Sequence, residues 1–408
     1  MSEVFGTKLK HPIDGDGMIA ALSFSGGKVH LRNKHHEEQT QRYFKFRGQM
    51  GTATNDIVSK DALNLATSLA TRSKTKLQPF RDPSNTNVFY WGGKLLSSYE
   101  TMLPHSIDPT NLNTLGPDDL NETLKIPAFS AHFRVDPILK RLVTLSLKPE
   151  TPSLPGKNGA LPILQMNEYD EDWKLMQTQI HNIPGLNYSH DFLLTEHFYV
   201  LHMTPFVKTS ATLFIQIALG LKSPGDAMKH YPECPSNFVV IERKQNPKVY
   251  FFKTGRFHIF HFGNISEVKV SSDEYLLEFN AVCLGDNAIE KFNMSFDQGL
   301  WLANGSECPG HLLEFRLTVP LKVNPKKDNG DMKLFDCHQF LAEDSNNEDD
   351  GWILVQLYLP EKRKTEFVIL DAKCIEKGPI CTIRLKHHLP FSFHGTWCEK
   401  TFVNQSNL

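Results

Sequence analysis

Short segments with the character of β-strands recur along the whole chain, and this pattern constrains the fold more than any other feature. Each segment is rich in β-branched, aromatic or other apolar residues and is bounded by Gly, Pro, Asn or Asp turns. Strands this short and this frequent predict an all-β sandwich, barrel or propeller rather than βαβ units. The predicted strands are residues 18–24, 29–32, 87–91, 95–100, 141–147, 198–202, 238–242, 249–253, 275–283, 312–319, 352–359, 366–371 and 381–386.

Two glycine pairs predict tight hairpins. Gly26-Gly27 and Gly92-Gly93 each stand between two predicted strands, and glycine accepts the positive φ angles of two-residue hairpin turns. The polar stretch 35–80 predicts an excursion from the sheets with one helix over residues 60–71. No loop has the composition of a flexible linker, so residues 1–408 are predicted to form a single domain.

Composition excludes some classes of partner. A net charge of -2 and a pI near 6.8 give no basic surface for nucleic acid. The seven cysteines include no C-x-x-C pair, which indicates free thiols in a reducing compartment. No apolar run reaches the roughly 18 residues of a membrane-spanning helix.

The apolar stretch 204–221 stands apart because strand alternation does not explain it. One interpretation is a buried helix. The other is an apolar surface patch that dips into a bilayer face or guards an apolar tunnel. Both interpretations remain open from the sequence.

Four histidines share similar surroundings although they are far apart along the chain. His132, His190, His261 and His394 each stand at the edge of a strand-like segment, among aromatic or small residues. Their spacing is too wide for a zinc finger, whose ligands come in close pairs. It fits ligands that separate propeller blades deliver to a common axis. The alternative, a hydrogen-bonded structural role for each histidine, stays open at this point.

A set of four neutral imidazoles without a carboxylate suits Fe(II), Zn(II) or Cu(II). Metal-bound histidines usually donate their second N–H to a carboxylate, which fixes the tautomer. Glu100, at the end of a predicted strand, is the best-placed candidate for such a partner.

The residues around these histidines resemble the motifs of the carotenoid cleavage oxygenases, from about residue 11 to 400. The matching segments are Asp14-Gly15-Asp16-Gly17-Met18, Asn85-Thr86-Asn87, Leu103-Pro104-His105, Ala131-His132-Phe133-Arg134-Val135-Asp136-Pro137, His190-Asp191-Phe192, Phe260-His261 with Asn264, Glu348-Asp349-Asp350-Gly351-Trp352 and Phe393-His394-Gly395-Thr396-Trp397.

This resemblance implies a seven-bladed β-propeller with helical and loop excursions over one face and an apolar tunnel for a polyene. It implies an Fe2+ cofactor held by His132, His190, His261 and His394, with Glu100 as an outer partner. The implied reaction is cleavage of a conjugated C=C bond of a carotenoid or apocarotenoid by O2, giving two carbonyl products. The expected setting is the cytoplasm or a plastid, with a peripheral membrane contact through about residues 204–221.

The chain also departs from the family pattern. Segments that precede Asp14 in the family are missing, and the stretch between His261 and His394 is short by about one blade. Cys337 stands where an outer glutamate is expected, and a thiol cannot replace a carboxylate as acceptor for an imidazole N–H. We therefore expect a propeller that lacks N-terminal strands and about one blade. The competing hypotheses are a homologue that binds metal or apocarotenoid without efficient turnover, and a propeller that serves only as an interaction platform.

Overall fold

The computed structural model describes most of the predicted strands and the segments beside them. The described residues are 16–35, 82–100, 102–124, 126, 128–156, 158–186, 188–204, 210–218, 236–284, 310–321, 333–336, 351–359, 361–390 and 392–402, together with the short strands β1 (Glu3–Val4) and β2 (Thr7–Lys8). The predicted helix over 60–71 and Cys337 lie outside them.

Five antiparallel sheets follow one another along the described chain, and within each sheet consecutive strands are neighbours. This is the arrangement of propeller blades. Blade 1 contains β5 (Asn87–Trp91), β6 (Lys94–Ser98), β7 (His105–Ile107) and β8 (Thr114–Pro117). Blade 2 contains β9 (Arg134–Asp136), β10 (Arg141–Lys148), β11 (Ile163–Tyr169) and β12 (Leu175–His181).

Blade 3 contains β13 (Phe192–Leu194), β14 (Phe198–Met203), β15 (Asn237–Glu242) and β16 (Val249–Lys253). Blade 4 contains β17 (His258–Ser271), β18 (Glu274–Leu284), β19 (Gly310–Pro320) and β20 (Lys333–Asp336). Blade 5 contains β21 (Trp352–Leu359), β22 (Lys364–Asp371) and β23 (Cys381–Arg384), with a 3-10 helix at Ala372–Lys377. The strands β3 (Met18–Ser25) and β4 (Lys28–His35) form a separate hairpin.

The all-β propeller fold is confirmed. The resemblance implied seven blades, with about one blade expected to be missing, and the count of seven is wrong for the part of the chain described here, which forms five. The family motifs mark the segments that carry the histidines. The motifs give no information on how many sheets lie between those segments. The blade number was therefore implied by the resemblance and not by any feature of this sequence.

Both predicted hairpins are present. Gly26 and Gly27 have φ of 54° and 74°, and Gly92 and Gly93 have φ of 52° and 79°. These are the positive angles that two-residue turns of this kind require. Gly92 is also sterically confined, because a Cβ there would lie 2.4 Å from the carbonyl oxygen of Glu171.

The core lies between blades, so a central strand buries both of its faces. In β14, Phe198 and Val200 pack in the cluster shared with blade 4, whereas Tyr199 and Leu201 pack in the cluster shared with blade 2. Successive side chains on a strand point to opposite faces, which explains why this strand is apolar without alternation. A further cluster joins blades 1 and 2. Another packs the β3–β4 hairpin against blade 5.

The stretch 204–221 contains one described helix, α1 (Ala211–Ala218). Its described side chains are half-buried or exposed, and Ile215 is 45% exposed. The interpretation as a buried helix is therefore wrong for these residues. Among the described helices, none combines the length and the apolar character that crossing a bilayer requires.

Candidate metal centre

The four predicted histidines are carried by successive parts of the propeller. His132 and His190 each stand two residues before the first strand of a blade, β9 and β13, and His261 lies within β17. Strand β13 contacts both β9 and β17, which brings these three segments together. His394 lies in the irregular segment after β23, where its backbone N–H donates to the carbonyl of Thr86 at 3.3 Å. That bond connects the last histidine to the residue before β5, the first strand of blade 1.

The imidazole rings converge on one small volume. The Nε2 atom of His190 lies 2.9 Å from that of His132 and 3.3 Å from that of His261. One ring nitrogen from each of His132, His261 and His394 lies within 4.8 Å of the other two. The ring centroids of His132 and His394 are 4.5 Å apart. The structure thus brings together all four residues that were selected from the sequence.

The spacing of the nitrogens fits a shared metal ion. Two imidazole nitrogens at about 2.1 Å from a metal, at right angles to each other, lie about 3.0 Å apart. The two Nε2 distances from His190 are close to that value. Hydrogen bonds between the rings would satisfy the site less well, because the single lone pair on Nε2 of His190 faces two other rings. A cation satisfies all of the converging nitrogens at once.

Burial keeps the cluster in the form that binds metal. Desolvation, together with the neighbouring His394 and His261, lowers the pKa of His132 to about 3. Burial also places the pKa of His190 well below its ordinary value. The pKa values of His261 and His394 are lowered mainly by burial as well, although the nearby carboxylate of Asp191 opposes that shift. Neutral imidazoles with free lone pairs are what metal coordination requires.

Glu100 takes the place predicted for it. Its Oε1 atom accepts a hydrogen bond from Nδ1 of His190, so the Nε2 atom of that ring keeps its lone pair. The hydroxyl of Tyr188 lies 3.4 Å from the same carboxylate oxygen and 3.4 Å from Nδ1 of His190. Within the described residues, Glu100 is the carboxylate that bonds directly to a ring nitrogen of the four histidines.

Ser130 connects the first two histidine segments. Its hydroxyl donates to the backbone carbonyl of His190 at 3.3 Å and accepts the backbone N–H of His132 at 3.1 Å. The ring of Phe260 lies edge-on to His190, with 4.9 Å between the ring centroids. These contacts hold the two buried rings at a fixed separation. Phe260 belongs to one of the motifs and Ser130 directly precedes another, but their contacts could not be predicted from the sequence.

Two further histidines are buried next to the cluster without joining it. Nδ1 of His202 lies 2.9 Å and Nδ1 of His258 3.1 Å from the hydroxyl of Thr204. A hydroxyl has one hydrogen to donate, so it donates to one ring and accepts from the other. His258 stands three residues before His261 but lies outside the cluster. The buried position of His202 could not be predicted from the sequence, because no motif marks it and the other residues of β14 are apolar or aromatic.

Comparison with known proteins agrees with the motifs. The sequence profile of the family described as retinal pigment epithelial membrane protein matches residues 2–340 and 335–399. Among curated proteins, the chain is 27% identical to apocarotenoid-15,15'-oxygenase of Synechocystis sp., over 97% of this chain and 88% of that protein. It is 22% identical to resveratrol cleavage oxygenase 1 of Botryotinia fuckeliana, over 96% of this chain and 77% of that protein.

Solved structures give the same result for the fold. Cobalt-substituted Synechocystis ACO superimposes with a TM-score of 0.73 at 24% identity, covering 98% of this chain and 91% of that one. An ACO/RPE65 chimera superimposes with a TM-score of 0.73 at 24% identity and the same coverage. At this level of identity the agreement concerns the propeller fold alone.

Proposed function

Because the chain belongs to the carotenoid cleavage oxygenase family, we propose that it is an Fe(II)-dependent oxygenase acting on a carotenoid or apocarotenoid. One conjugated C=C bond and one O2 molecule would be converted into two carbonyl groups, so that atoms balance without a further reductant. The observation that carries this proposal is the convergence of four neutral imidazoles from separate blades.

His132, His190, His261 and His394 would hold the iron. When bound, Fe(II) supplies the one-electron chemistry that lets O2 react with an alkene, while four imidazoles leave positions open for a small co-substrate. Glu100 keeps the proton on Nδ1 of His190 and so presents Nε2 to the site.

The cluster offers one accessible side. His132 and His190 are buried, His261 is half-buried and His394 is exposed. We therefore infer that the polyene approaches past His394 and His261, while the side of Ser130 and Phe260 excludes water from the two buried rings. Aromatic walls suit a conjugated substrate, since they bury it and stabilise positive charge that develops during oxidation.

We further propose a peripheral membrane contact through about residues 204–221 and a reducing location, in the cytoplasm or a plastid. The exposure of Ile215 on α1 supports the first, because an apolar patch at a surface helix can enter the interfacial region of a bilayer. The free thiols of Cys283, Cys374, Cys381 and Cys398 support the second.

The competing proposal is a protein that binds metal or apocarotenoid with little turnover. It is favoured by one observation: within the described residues, only His190 among the four histidines has a carboxylate on its ring. Loss of such an outer partner typically lowers metal affinity or activity about 10- to 100-fold.

An activity screen separates the two proposals. Protein reconstituted anaerobically with Fe(II) is given O2 and a panel of carotenoids and apocarotenoids in detergent, and products are identified as aldehydes or ketones. We expect cleavage of at least one substrate, and loss of both iron and cleavage in His132→Ala. Iron binding without any cleavage across the panel would favour the competing proposal, and absence of iron binding would remove the oxygenase proposal.

A further inference from the structure

The carboxylate of Asp191 lies at a junction between three segments of the propeller. Asp191 is only 4% exposed. One oxygen, Oδ1, accepts the backbone N–H of Phe192 at 2.8 Å. The other, Oδ2, accepts the backbone N–H of Phe262 at 3.0 Å and a guanidinium N–H of Arg134 at 2.8 Å. Both carboxylate oxygens are therefore used.

Every partner of this carboxylate is close in sequence to a histidine of the metal cluster. Asp191 follows His190, Phe262 follows His261, and Arg134 stands two residues after His132. One buried group therefore connects the first strands of blades 2, 3 and 4. No bond within a single blade could fix these segments relative to one another, since the histidines belong to different sheets.

We propose that Asp191 is a positioning residue, which with Arg134 fixes the relative placement of the segments that carry His132, His190 and His261. This inference rests on the proposed metal function of those histidines. Asp191 has no contact with the ring nitrogens, so its effect is to hold three backbones at the separation that lets three Nε2 atoms meet. A shift of a few tenths of an ångström in any one segment would weaken shared coordination, because metal–nitrogen distances vary by only about 0.2 Å.

Electrostatics support the same assignment. The Asp191 carboxylate raises the pKa values of His261 and His394 against the opposing effect of burial, while Arg134 lowers that of His132. The anion thus lies close enough to be felt by the rings, and it would partly balance the charge of a bound cation. Arg134, whose side chain is 28% exposed, forms an ion pair with this buried carboxylate at 2.8 Å.

The chain offers a matched control for this carboxylate. Asp136 is also buried, at 6% exposure, and it accepts the backbone N–H groups of Ile138 and Leu139, both at 2.9 Å. It pairs with Arg243 at 2.6 Å, so it too joins blade 2 to blade 3. Its two backbone partners, however, lie in its own turn and not beside a histidine of the cluster. The two carboxylates match in burial and bonding and differ in what they connect.

The test compares Asp191→Asn with Asp136→Asn by titration with Co(II), using the visible absorption of the bound ion to report affinity and ligand geometry. We expect Asp191→Asn to lose about 10- to 100-fold in Co(II) affinity and to show a changed absorption spectrum. Asp136→Asn should lower the melting temperature but keep the wild-type affinity and spectrum. Equal affinity in wild type and Asp191→Asn would overturn the proposal, as would equal losses in both variants, which indicate general destabilisation.

A second variant covers the case in which Asp191→Asn does not fold. Arg134→Gln leaves both backbone N–H bonds to Asp191. It removes the ion pair that links Asp191 to the His132 segment, and with it the position of the guanidinium over the ring of Phe192. We expect a smaller loss of Co(II) affinity, about three- to tenfold, with the wild-type melting temperature nearly kept because this arginine is partly exposed. Unchanged affinity in Arg134→Gln would overturn the proposed link. If wild type itself binds no Co(II), both the proposed function and this inference fail, whereas tight wild-type binding with unaffected variants sinks the inference alone.

Discussion

Replacing Glu100 by glutamine tests how far one outer carboxylate supports the metal centre. Glu100 accepts the Nδ1 proton of His190, and Tyr188 lies beside the same oxygen. Glutamine keeps a neutral oxygen acceptor but removes the charge that strengthens the bond and raises the basicity of Nε2. The variant therefore changes electronic character with little change in volume.

The magnitude follows from the exposure of the carboxylate. Removing an outer partner lowers metal affinity about 10- to 100-fold, or about 1.4 to 2.7 kcal/mol. The Glu100 side chain retains 24% exposure, so solvent screens part of its charge. We therefore expect about a tenfold loss for Glu100→Gln and up to about a hundredfold for Glu100→Ala, which leaves the imidazole N–H without this acceptor.

The assay is an anaerobic competition for Fe(II) against a coloured chelator, with thermal melts measured in parallel. Glu171→Gln is the control, because it removes the same charge far from the cluster. Glu171 is exposed in the turn between β11 and β12. Affinities of Glu100→Gln and Glu100→Ala within twofold of wild type would refute the reasoning that this carboxylate tunes His190.

Three further predictions concern stability. His202 is neutral in the folded protein because burial lowers its pKa to about 3, whereas the unfolded chain binds the extra proton below about pH 6.5, so the free energy of unfolding falls as the pH decreases. His202→Phe should therefore reduce the dependence of the free energy of unfolding on pH by about 1.4 kcal/mol per pH unit between pH 5.5 and 4, measured by denaturant melts. An unchanged pH dependence would exclude this histidine as its source. Gly92→Ala should lower the free energy of unfolding by about 1 to 3 kcal/mol, because it adds a Cβ 2.4 Å from a carbonyl oxygen. Gly93→Ala has open space around the added Cβ and should lower the free energy of unfolding by about 1 kcal/mol, from its positive φ alone. Equal losses in the two variants would contradict the steric argument. Tyr199→Phe removes the hydroxyl that donates to the buried Glu168 and should lower the free energy of unfolding by about 1 to 3 kcal/mol in urea melts. A neutral effect would mean that Arg141 and Arg243 satisfy that carboxylate without the hydroxyl.

Local turn chemistry and apolar periodicity predicted much of the fold. The glycine pairs fixed both hairpins, and runs such as 198–202 and 249–253 became strands with nearly the same bounds. The structure of such segments can be predicted from the sequence because a single physical requirement, burial or a positive φ angle, determines it.

Strands with polar or irregular interiors were missed. In β11, Gln165 and Asn167 are buried, and they bond to each other at 3.0 Å. Their polarity hid the strand, since only the folded network satisfies these amides. In β17 the register shifts twice between Ile259 and Ile265, and such bulges break the alternation on which prediction depends. The blade count failed for a different reason, because it is a property of ring closure and not of any local segment.

The candidate site shows the same division. The four histidines and Glu100 were found because the motifs mark them, and the structure brings them together. Asp191 and Arg134 stood in the same motifs, yet their connecting contacts could not be predicted. Those contacts link residues 57 to 71 positions apart, and only the packing of blades reveals them.

The central claim is that four imidazoles share one ferrous ion, and X-ray absorption at the iron edge of the reconstituted protein tests it most directly. We expect about four nitrogen neighbours near 2.1 Å, with the multiple-scattering pattern of imidazole rings, and the loss of this shell in His132→Ala. A first shell of oxygen alone, or a spectrum that His132→Ala leaves unchanged, would contradict the account.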